Sequence, residues 1–359
     1  MVYKTDRPIE VRKDEALDVI SLRKFLLEKL GKISKFEVLQ FPYGYSNLTY
    51  FIKTENKKMV LRRPPYGSTV KSGHDMKREF NILSSLKKHF NKVPLPIIYC
   101  NDKSIIGDEF YIMEKVDGVI FRGSKPPFEW PKPNLMPSLV NSFIDSFTKL
   151  HSLNIKKIGL ENFGKPKGYV NRQVNGWIKR YNNAKTHNFN GINKTISWLS
   201  NHLPKKSKTA IIHNDFKFDN IMFRIHNNKA QVNAILDWEM STIGDPLMDL
   251  GTSLGYWIHY TDPEKLQNLN LNITTVKGTP SREKLVQLYC EKTGSSVNNI
   301  VFYFVFGLFK IAVIIQQIYF RYVNGFTKDL RFKNLDKGVE LLGIMALQAI
   351  QKKKIDYLF

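Results

Sequence analysis

His213-Asn214-Asp215-Phe216-Lys217-Phe218-Asp219-Asn220 lies between two apolar runs, Ala210-Ile211-Ile212 and Ile221-Met222-Phe223. A polar loop framed by two buried strands holds its side chains firmly while exposing their tips. In such a loop Asp215 can accept a proton from an alcohol, or orient that hydroxyl for attack. Asn220, five residues on, offers a side-chain carbonyl oxygen to a hard cation. Further along, the apolar run Ala234-Ile235-Leu236 ends on a second carboxylate, Asp237, followed by Trp238 and Glu239. Magnesium takes hard oxygen ligands, usually one or two carboxylates together with waters and phosphate oxygens, and Asp237 is placed to supply one. Phosphoryl transfer asks for little more than a positioned nucleophile, that metal, and positive charge around the phosphates.

Upstream of this segment the pattern is mixed. Residues 14–30 have helical apolar spacing and end at Gly31, a C-cap residue. Residues 36–40, 48–54 and 59–63 read as strands, rich in β-branched and aromatic residues. Asp75 is placed to N-cap a helix reaching about residue 90, with Met76, Phe80, Leu83 and Leu86 at helical spacing. Pro94 and Pro96 break it, and residues 97–100 and 109–114 supply two more strands. Five strands with one inserted helix make a compact first lobe. A proline-rich loop at 125–137 follows, and the chain then turns mainly helical, with candidates at 136–153, 170–182, 193–201, 246–259, 281–293, 297–323 and 335–353. Short strands are expected between them at 209–212, 221–224 and 231–236. The expected division is a nucleotide-binding lobe over 1–116 and a catalytic and substrate-binding lobe over 117–359.

The chain of 359 residues is long enough for two lobes, and its 42% hydrophobic content supports a packed core. Residues 1–13 are mixed and charged, without the apolar core of a secretory signal, so a cytoplasmic location is expected. Cys100 and Cys290 are far apart in sequence and read as free thiols. Residues 300–318 form an almost wholly apolar run close to membrane-spanning length. Lys310 within the run, and Gln316-Gln317 near its end, favour a buried helix of the larger lobe instead. The net charge of +23 admits three explanations: nucleic-acid binding, an anionic small ligand, or simply a lysine-rich composition. The basic residues are dispersed, and no stretch interleaves them with aromatics in an RNA-binding pattern, which argues against nucleic acid. Oligomeric state leaves no trace in the sequence.

The pattern H-x-D-x-x-x-x-N followed by D-W-E resembles the aminoglycoside phosphotransferase and choline kinase superfamily. Within it, the sequence is most similar to the phosphotransferase domains fused to acyl-CoA dehydrogenases and their stand-alone microbial relatives. Supporting phrases run in family order from about residue 36 to 260: Tyr45-Ser46-Asn47-Leu48-Thr49-Tyr50, Val60-Leu61-Arg62-Arg63-Pro64-Pro65, His74-Asp75-Met76-Lys77-Arg78-Glu79, Phe110-Tyr111-Ile112-Met113-Glu114, and Asp237 through Pro246. The resemblance implies an α+β, two-lobed, protein-kinase-like fold that transfers the γ-phosphate of ATP, with Mg2+, to an alcohol of a small molecule. It also implies roles. Asp215 matches the catalytic aspartate, and Asn220 and Asp237 match the magnesium ligands. Ser46 and Asn47 belong to the nucleotide-covering loop. Glu79 matches the helix glutamate paired with the cation of the third strand. Glu114 and Val116 lie in the hinge whose backbone meets adenine, and Asp249 matches the aspartate that braces the catalytic loop.

One position departs from the wider superfamily. The third-strand cation is normally lysine, whereas here Arg62 stands in its place, with Arg63 beside it on the opposite face by strand alternation, and the sequence leaves open which of the two contacts phosphate. Arginine keeps the charge and can fork onto phosphate, but it is bulkier. The acceptor is not set by fold or motif. Choline and aminoglycosides are cationic and need acidic lining; this basic chain favours an anionic acceptor such as a hydroxyacyl-CoA. A choline- or aminoglycoside-type kinase, and a catalytically silent nucleotide-binding protein in which Arg62 has abolished transfer, are the alternatives. A lone aspartate in a loop is ordinarily a cap. Glu239 either touches the metal or braces the loop; Asp219 and Lys217 read more readily as structural or solvated groups than as catalytic ones, although Lys217 can approach the transferred phosphate, and His74 reads as a local cap partner.

Overall fold

Alternating apolar and polar residues over the first strand-like runs produce an antiparallel sheet with one face on a helix. The structure, a computed structural model, describes residue 3 and residues 6–42, 47–67, 74–123 and 129–359. Its first sheet contains β1 (Phe36–Gln40), β2 (Leu48–Thr54), β3 (Lys58–Arg63), β4 (Pro96–Cys100) and β5 (Phe110–Glu114), in the order β1-β2-β3-β5-β4. Three helices accompany it: α1 (Val19–Leu30), α2 (Met76–Lys87) and the short α3 (Lys103–Ile106). Asp75 caps α2 by accepting the Arg78 N–H at 2.8 Å, as the sequence suggested. The first helix starts later than the expected residue 14. Asp18 is its cap, accepting the Ser21 N–H at 3.0 Å, and residues before it turn only once at Lys13–Glu15.

The rest of the chain is mainly helical: α4 (Met136–His151), α5 (Tyr169–Ala184), α6 (Asn190–Asn201), α7 (Pro246–Gly255), α8 (Glu264–Gln267), α9 (Arg282–Thr293), α10 (Ile300–Val323) and α11 (Leu335–Lys352). Two small sheets lie among them. One joins β6 (Val119–Ile120), β8 (Ile221–His226) and β9 (Lys229–Ile235); the other joins β7 (Ala210–Ile212) and β10 (Thr242–Gly244). Asn227 and Asn228 both take left-handed φ, 47° and 57°, and close the β8–β9 hairpin. Helix α7 stops at Gly255, short of the expected residue 259, and the carbonyl of Trp257 just beyond it accepts a bond from Arg282 at 2.8 Å. The elements missed by sequence, α3, α8, β6 and β10, are all too short to show a period.

Helix α10 is the apolar run flagged by composition. It is long and apolar enough to cross a membrane, yet 78% of its most apolar window is buried against other helices. It packs on α7 through glycine. A Cβ on Gly251 would lie 2.1 Å from the Tyr303 carbonyl oxygen, and one on Gly307 2.0 Å from that of Gly251. Only hydrogen at these positions lets the two helix backbones approach so closely. This contact fixes α10 against α7.

Candidate active site

The sequence segment quoted first folds as a loop between β7 and β8, and its backbone is held from below. Both oxygens of the Asp249 carboxylate, on α7, accept backbone N–H groups, from His213 at 2.6 Å and Asn214 at 2.8 Å. The His213 Nε2–H donates to the Leu236 carbonyl at 2.9 Å, while Nδ1 receives the Asp215 N–H at 3.3 Å. Burial pushes the His213 imidazole below its ordinary range, in keeping with a neutral ring in that bonding pattern. His213 is thus a structural member of the loop.

Asn220 reaches Asp215 directly. Its amide nitrogen donates to the Asp215 carboxylate at 2.7 Å and to the Asp215 backbone carbonyl at 2.9 Å. With the nitrogen turned to Asp215, the side-chain oxygen of Asn220 faces away from it. Asn220 and Asp237 line one cavity between the five-stranded sheet and the helical region. Asn47, Arg62, Glu79, Glu114 and Val116 line the same cavity. The remaining candidate contact, Ser46, lies outside the described residues.

Arg62 projects from β3 into this cavity and meets three carboxylates. Its Nη2 is 2.9 Å from Asp237 and 3.9 Å from Glu239, and its Nε is 3.4 Å from Glu79. Burial works against its charge, but the three acids hold the guanidinium well above its ordinary range. Burial likewise pushes Glu79 up, opposed by Arg62, and Glu79 also accepts the Trp238 N–H at 3.1 Å. Arg63 turns the other way and donates to the carbonyls of Pro64 and Ile106, at 3.1 and 2.7 Å. The two adjacent arginines are separated by strand alternation, and only Arg62 faces the cavity.

Three neighbours are more involved than the sequence suggested. The Lys217 Nζ lies 3.0 Å from the Asp215 carboxylate and 4.5 Å from the Tyr256 ring centre. Burial opposes the charge on both partners. Even so, Asp215 holds Lys217 above the lysine range, and Lys217 with Lys310 holds Asp215 below the carboxylate range. His74 donates from Nδ1 to the Asn47 side-chain oxygen at 2.8 Å, and the Asn47 amide donates to Glu239 at 2.8 Å. This chain ties the start of β2 to the D-W-E turn. Arg78 donates to the Ser241 carbonyl at 2.6 Å and lies 4.1 Å from the Phe163 ring, joining α2 to the same turn.

The hinge is partly committed. The Glu114 carboxylate pairs with Lys87 at 2.8 Å and accepts the Leu95 N–H at 2.8 Å, so its side chain braces β4 and β5. The backbone N–H of Lys115 donates to Lys58 at 3.1 Å. Asp237 takes φ 65°, a left-handed conformation that aspartate adopts more readily than most residues and that ends β9 sharply. No three His, Cys, Asp or Glu side chains gather as a metal cluster among the described residues.

Comparison with known proteins adds an independent line. The sequence profile of the Phosphotransferase enzyme family (APH) matches residues 37–271. The chain is 36% identical over 340 residues to acyl-CoA dehydrogenase family member 10 of Mus musculus, covering 94% of this chain and 31% of that protein. It spans less than half the length of each curated relative it matches. Among solved structures, a Ralstonia eutropha protein assigned to the aminoglycoside phosphotransferases superposes with a TM-score of 0.77 at 28% identity, covering 94% of this chain and 99% of that one. A thermostable aminoglycoside phosphotransferase mutant, solved as a ternary complex with AMP-PNP and hygromycin B, shares the fold with a TM-score of 0.55 at 14% identity over 90% of this chain and 98% of its own.

Proposed function

We infer that this chain, which belongs to the phosphotransferase enzyme family, binds ATP in the cavity between its sheet and its helical region and passes the γ-phosphate to an alcohol of a small, anionic molecule. The observation that carries this reading is the convergence on one cavity of Asn220, Asp237 and Arg62, with Asp215 bonded to Asn220 at 2.7 Å. Residues 1–116 then form the nucleotide-binding lobe and 117–359 the catalytic lobe. Adenine meets the hinge backbone at Glu114 and Val116; the Val116 N–H takes no hydrogen bond among the described residues.

The donor set suits magnesium. One carboxylate (Asp237) and one amide oxygen (Asn220) leave most coordination positions to phosphate oxygens and water, as this ion prefers. The Arg62 guanidinium, 2.9 Å from Asp237, marks the carboxylate as a cation-binding group. When bound, magnesium neutralises charge on the phosphates. Asp215 orients the acceptor hydroxyl and takes its proton as the oxygen attacks the γ-phosphorus. A new O–P bond forms, the bond to the β,γ-bridging oxygen breaks, and ADP leaves. Arg62 and Lys217 bring positive charge toward the phosphoryl group in transit, and the partly water-excluded cavity strengthens their effect.

An acceptor with negative charge fits the cations around Asp215 and the net charge of +23. Relatives whose names place them among acyl-CoA dehydrogenases point to a hydroxyacyl-CoA. We place the reaction in the cytoplasm, where Cys100 and Cys290 would remain free thiols as they are here. A panel of hydroxyacyl thioesters, sugars and amino alcohols with ATP tests the acceptor: turnover of hydroxyacyl-CoA is expected, and strong turnover of choline or kanamycin alone contradicts it. One observation favours a second reading. Arg62 already holds the Asp237 oxygen that magnesium needs, as it would in a silent nucleotide-binding protein. Magnesium-dependent ATP consumption, lost in Asp215→Ala, separates the two.

A further inference from the structure

Helix α10 is apolar almost throughout, yet Lys310 sits in its middle with only 2% of its surface exposed. No carboxylate lies within ion-pair distance of its ammonium among the described residues. Nζ donates to the Asn214 backbone carbonyl at 2.5 Å and stands 5.5 Å from the Trp177 ring centre. Asp215, Asp249, Lys217 and Arg180 are the charged groups that surround it. A buried ammonium without a counterion costs stability, because desolvation is not repaid by a salt bridge. Burial brings its pKa down to about 8, the electrostatic sign of that cost.

Asn214, the residue it holds, precedes Asp215 and has φ 66°, a left-handed conformation. Every polar group of Asn214 is engaged. Its N–H donates to Asp249 at 2.8 Å, its side-chain oxygen accepts from the Tyr169 hydroxyl at 3.1 Å, and its amide donates to the Met240 carbonyl at 3.0 Å. Lys310 completes the set at the carbonyl. Asp249 and Lys310 lie on the two helices joined by the Gly251–Gly307 contact, two residues after Asp249 and three before Lys310. The close crossing thus sets a carboxylate acceptor on the N–H and an ammonium donor on the C=O of one residue.

We propose that Lys310 is a positioning residue for phosphoryl transfer: with Asp249 it clamps the Asn214 backbone from both ends and so fixes Asp215. This rests on the reading of Asp215 given above. Its logic is that transfer demands a nucleophile-orienting group held to a fraction of an ångström, and displacement by about 1 Å can cost about 100-fold in rate.

The test is Lys310→Met, which keeps length and apolar bulk and removes the charge. Magnesium-dependent ATP hydrolysis should fall about 100-fold. AMP-PNP affinity should stay within about twofold, as expected when only a transition-state interaction is lost. The melting temperature should be no lower than wild type. Deuterium uptake should rise in peptides covering residues 211–217 and not along 300–323. Unchanged hydrolysis overturns the proposal, as does protection lost all along α10. A Lys310→Met chain that fails to fold also overturns it, by making Lys310 a structural residue. Lys310→Ala adds an independent readout, since ethylammonium should restore part of the lost rate; no restoration speaks against the clamp. Asp215→Asn is assayed in parallel. If it hydrolyses ATP like wild type, the reading of the site has failed. If it is inactive while Lys310→Met is as active as wild type, only the clamp has failed.

Discussion

Among the described residues of the helical part of this chain, two buried cations, Arg282 and Lys310, are treated in opposite ways. Arg282, at the start of α9, meets Asp262 through two bonds of 2.7 and 2.8 Å, reaches Asp356 at 3.2 Å, and donates to the carbonyls of Trp257 and Ile355. Its fork is filled, and the two carboxylates that share it also accept backbone N–H groups of His259, Arg282 and Glu283, which is how a fold tolerates buried charge. Lys310, equally buried, has a single backbone oxygen and a ring face. The first arrangement ties α9 to the chain beyond α11 and serves stability. The second is electrostatically incomplete and abuts the catalytic loop. On the proposed function, incomplete satisfaction of a buried charge would mark the functional region more clearly than burial does.

The comparison can be broken most forcefully at Arg282. Arg282→Met leaves the Asp262 and Asp356 carboxylates buried with backbone N–H partners but no cation, and should cost about 3–5 kcal/mol in denaturant unfolding. ATP hydrolysis per folded molecule should be unchanged. A smaller loss than that of Lys310→Met would reverse the contrast. Next comes Asp215→Asn, the charge that the second region serves. It should reduce ATP turnover by about 10³-fold with nucleotide affinity retained, measured by phosphate release and AMP-PNP titration. Gly307→Ala sharpens the comparison from the backbone side. Its Cβ would lie 2.0 Å from the Gly251 carbonyl oxygen, so the helices must shift. About 1–3 kcal/mol of stability should be lost, with hydrolysis falling further than the folded fraction explains.

The smallest effect is a pH dependence. Lys310 titrates near 8 in the folded state and near the ordinary 10.5 when unfolded. Between those values the unfolded chain binds more protons, so this group makes stability rise with pH, unlike a lysine that gains a salt bridge. Wild-type stability relative to Lys310→Met should increase by on the order of 1 kcal/mol between pH 8 and 9, in urea unfolding at matched ionic strength. A flat difference would mean that Lys310 titrates as a solvated lysine does.

Much of the site could be read from sequence because its chemistry is local. Asp215 and Asn220 share one loop, and their mutual bond spans five residues. Asp237 follows the end of an adjoining strand, so its place beside Asn220 in one cavity was legible from the apolar run before it. Arg62 and Arg63 separated correctly by strand alternation. What escaped was long-range. The His74–Asn47–Glu239 chain joins residues up to 192 apart, and no periodicity announces it. Lys217 read as solvated because a lysine in a polar loop usually is; its contact with Asp215 follows from the loop's curvature. Lys310 did give a signal, as a charge within an apolar run. That signal argued only against a membrane span, since its partner, 96 residues away, is a backbone oxygen with no sequence identity. The start of α1 was misplaced because apolar spacing extended upstream of the N-cap that begins it, Asp18.

In the proposed reaction, Asp237 and Asn220 would hold a divalent cation against the terminal phosphates of a nucleotide. Calorimetric titration of AMP-PNP, with and without magnesium, into wild type and Asp237→Asn addresses that claim directly. Magnesium should tighten binding at least about tenfold in wild type, a gain of about 1.4 kcal/mol, and leave the variant unaffected. Equal magnesium dependence in both proteins would contradict it.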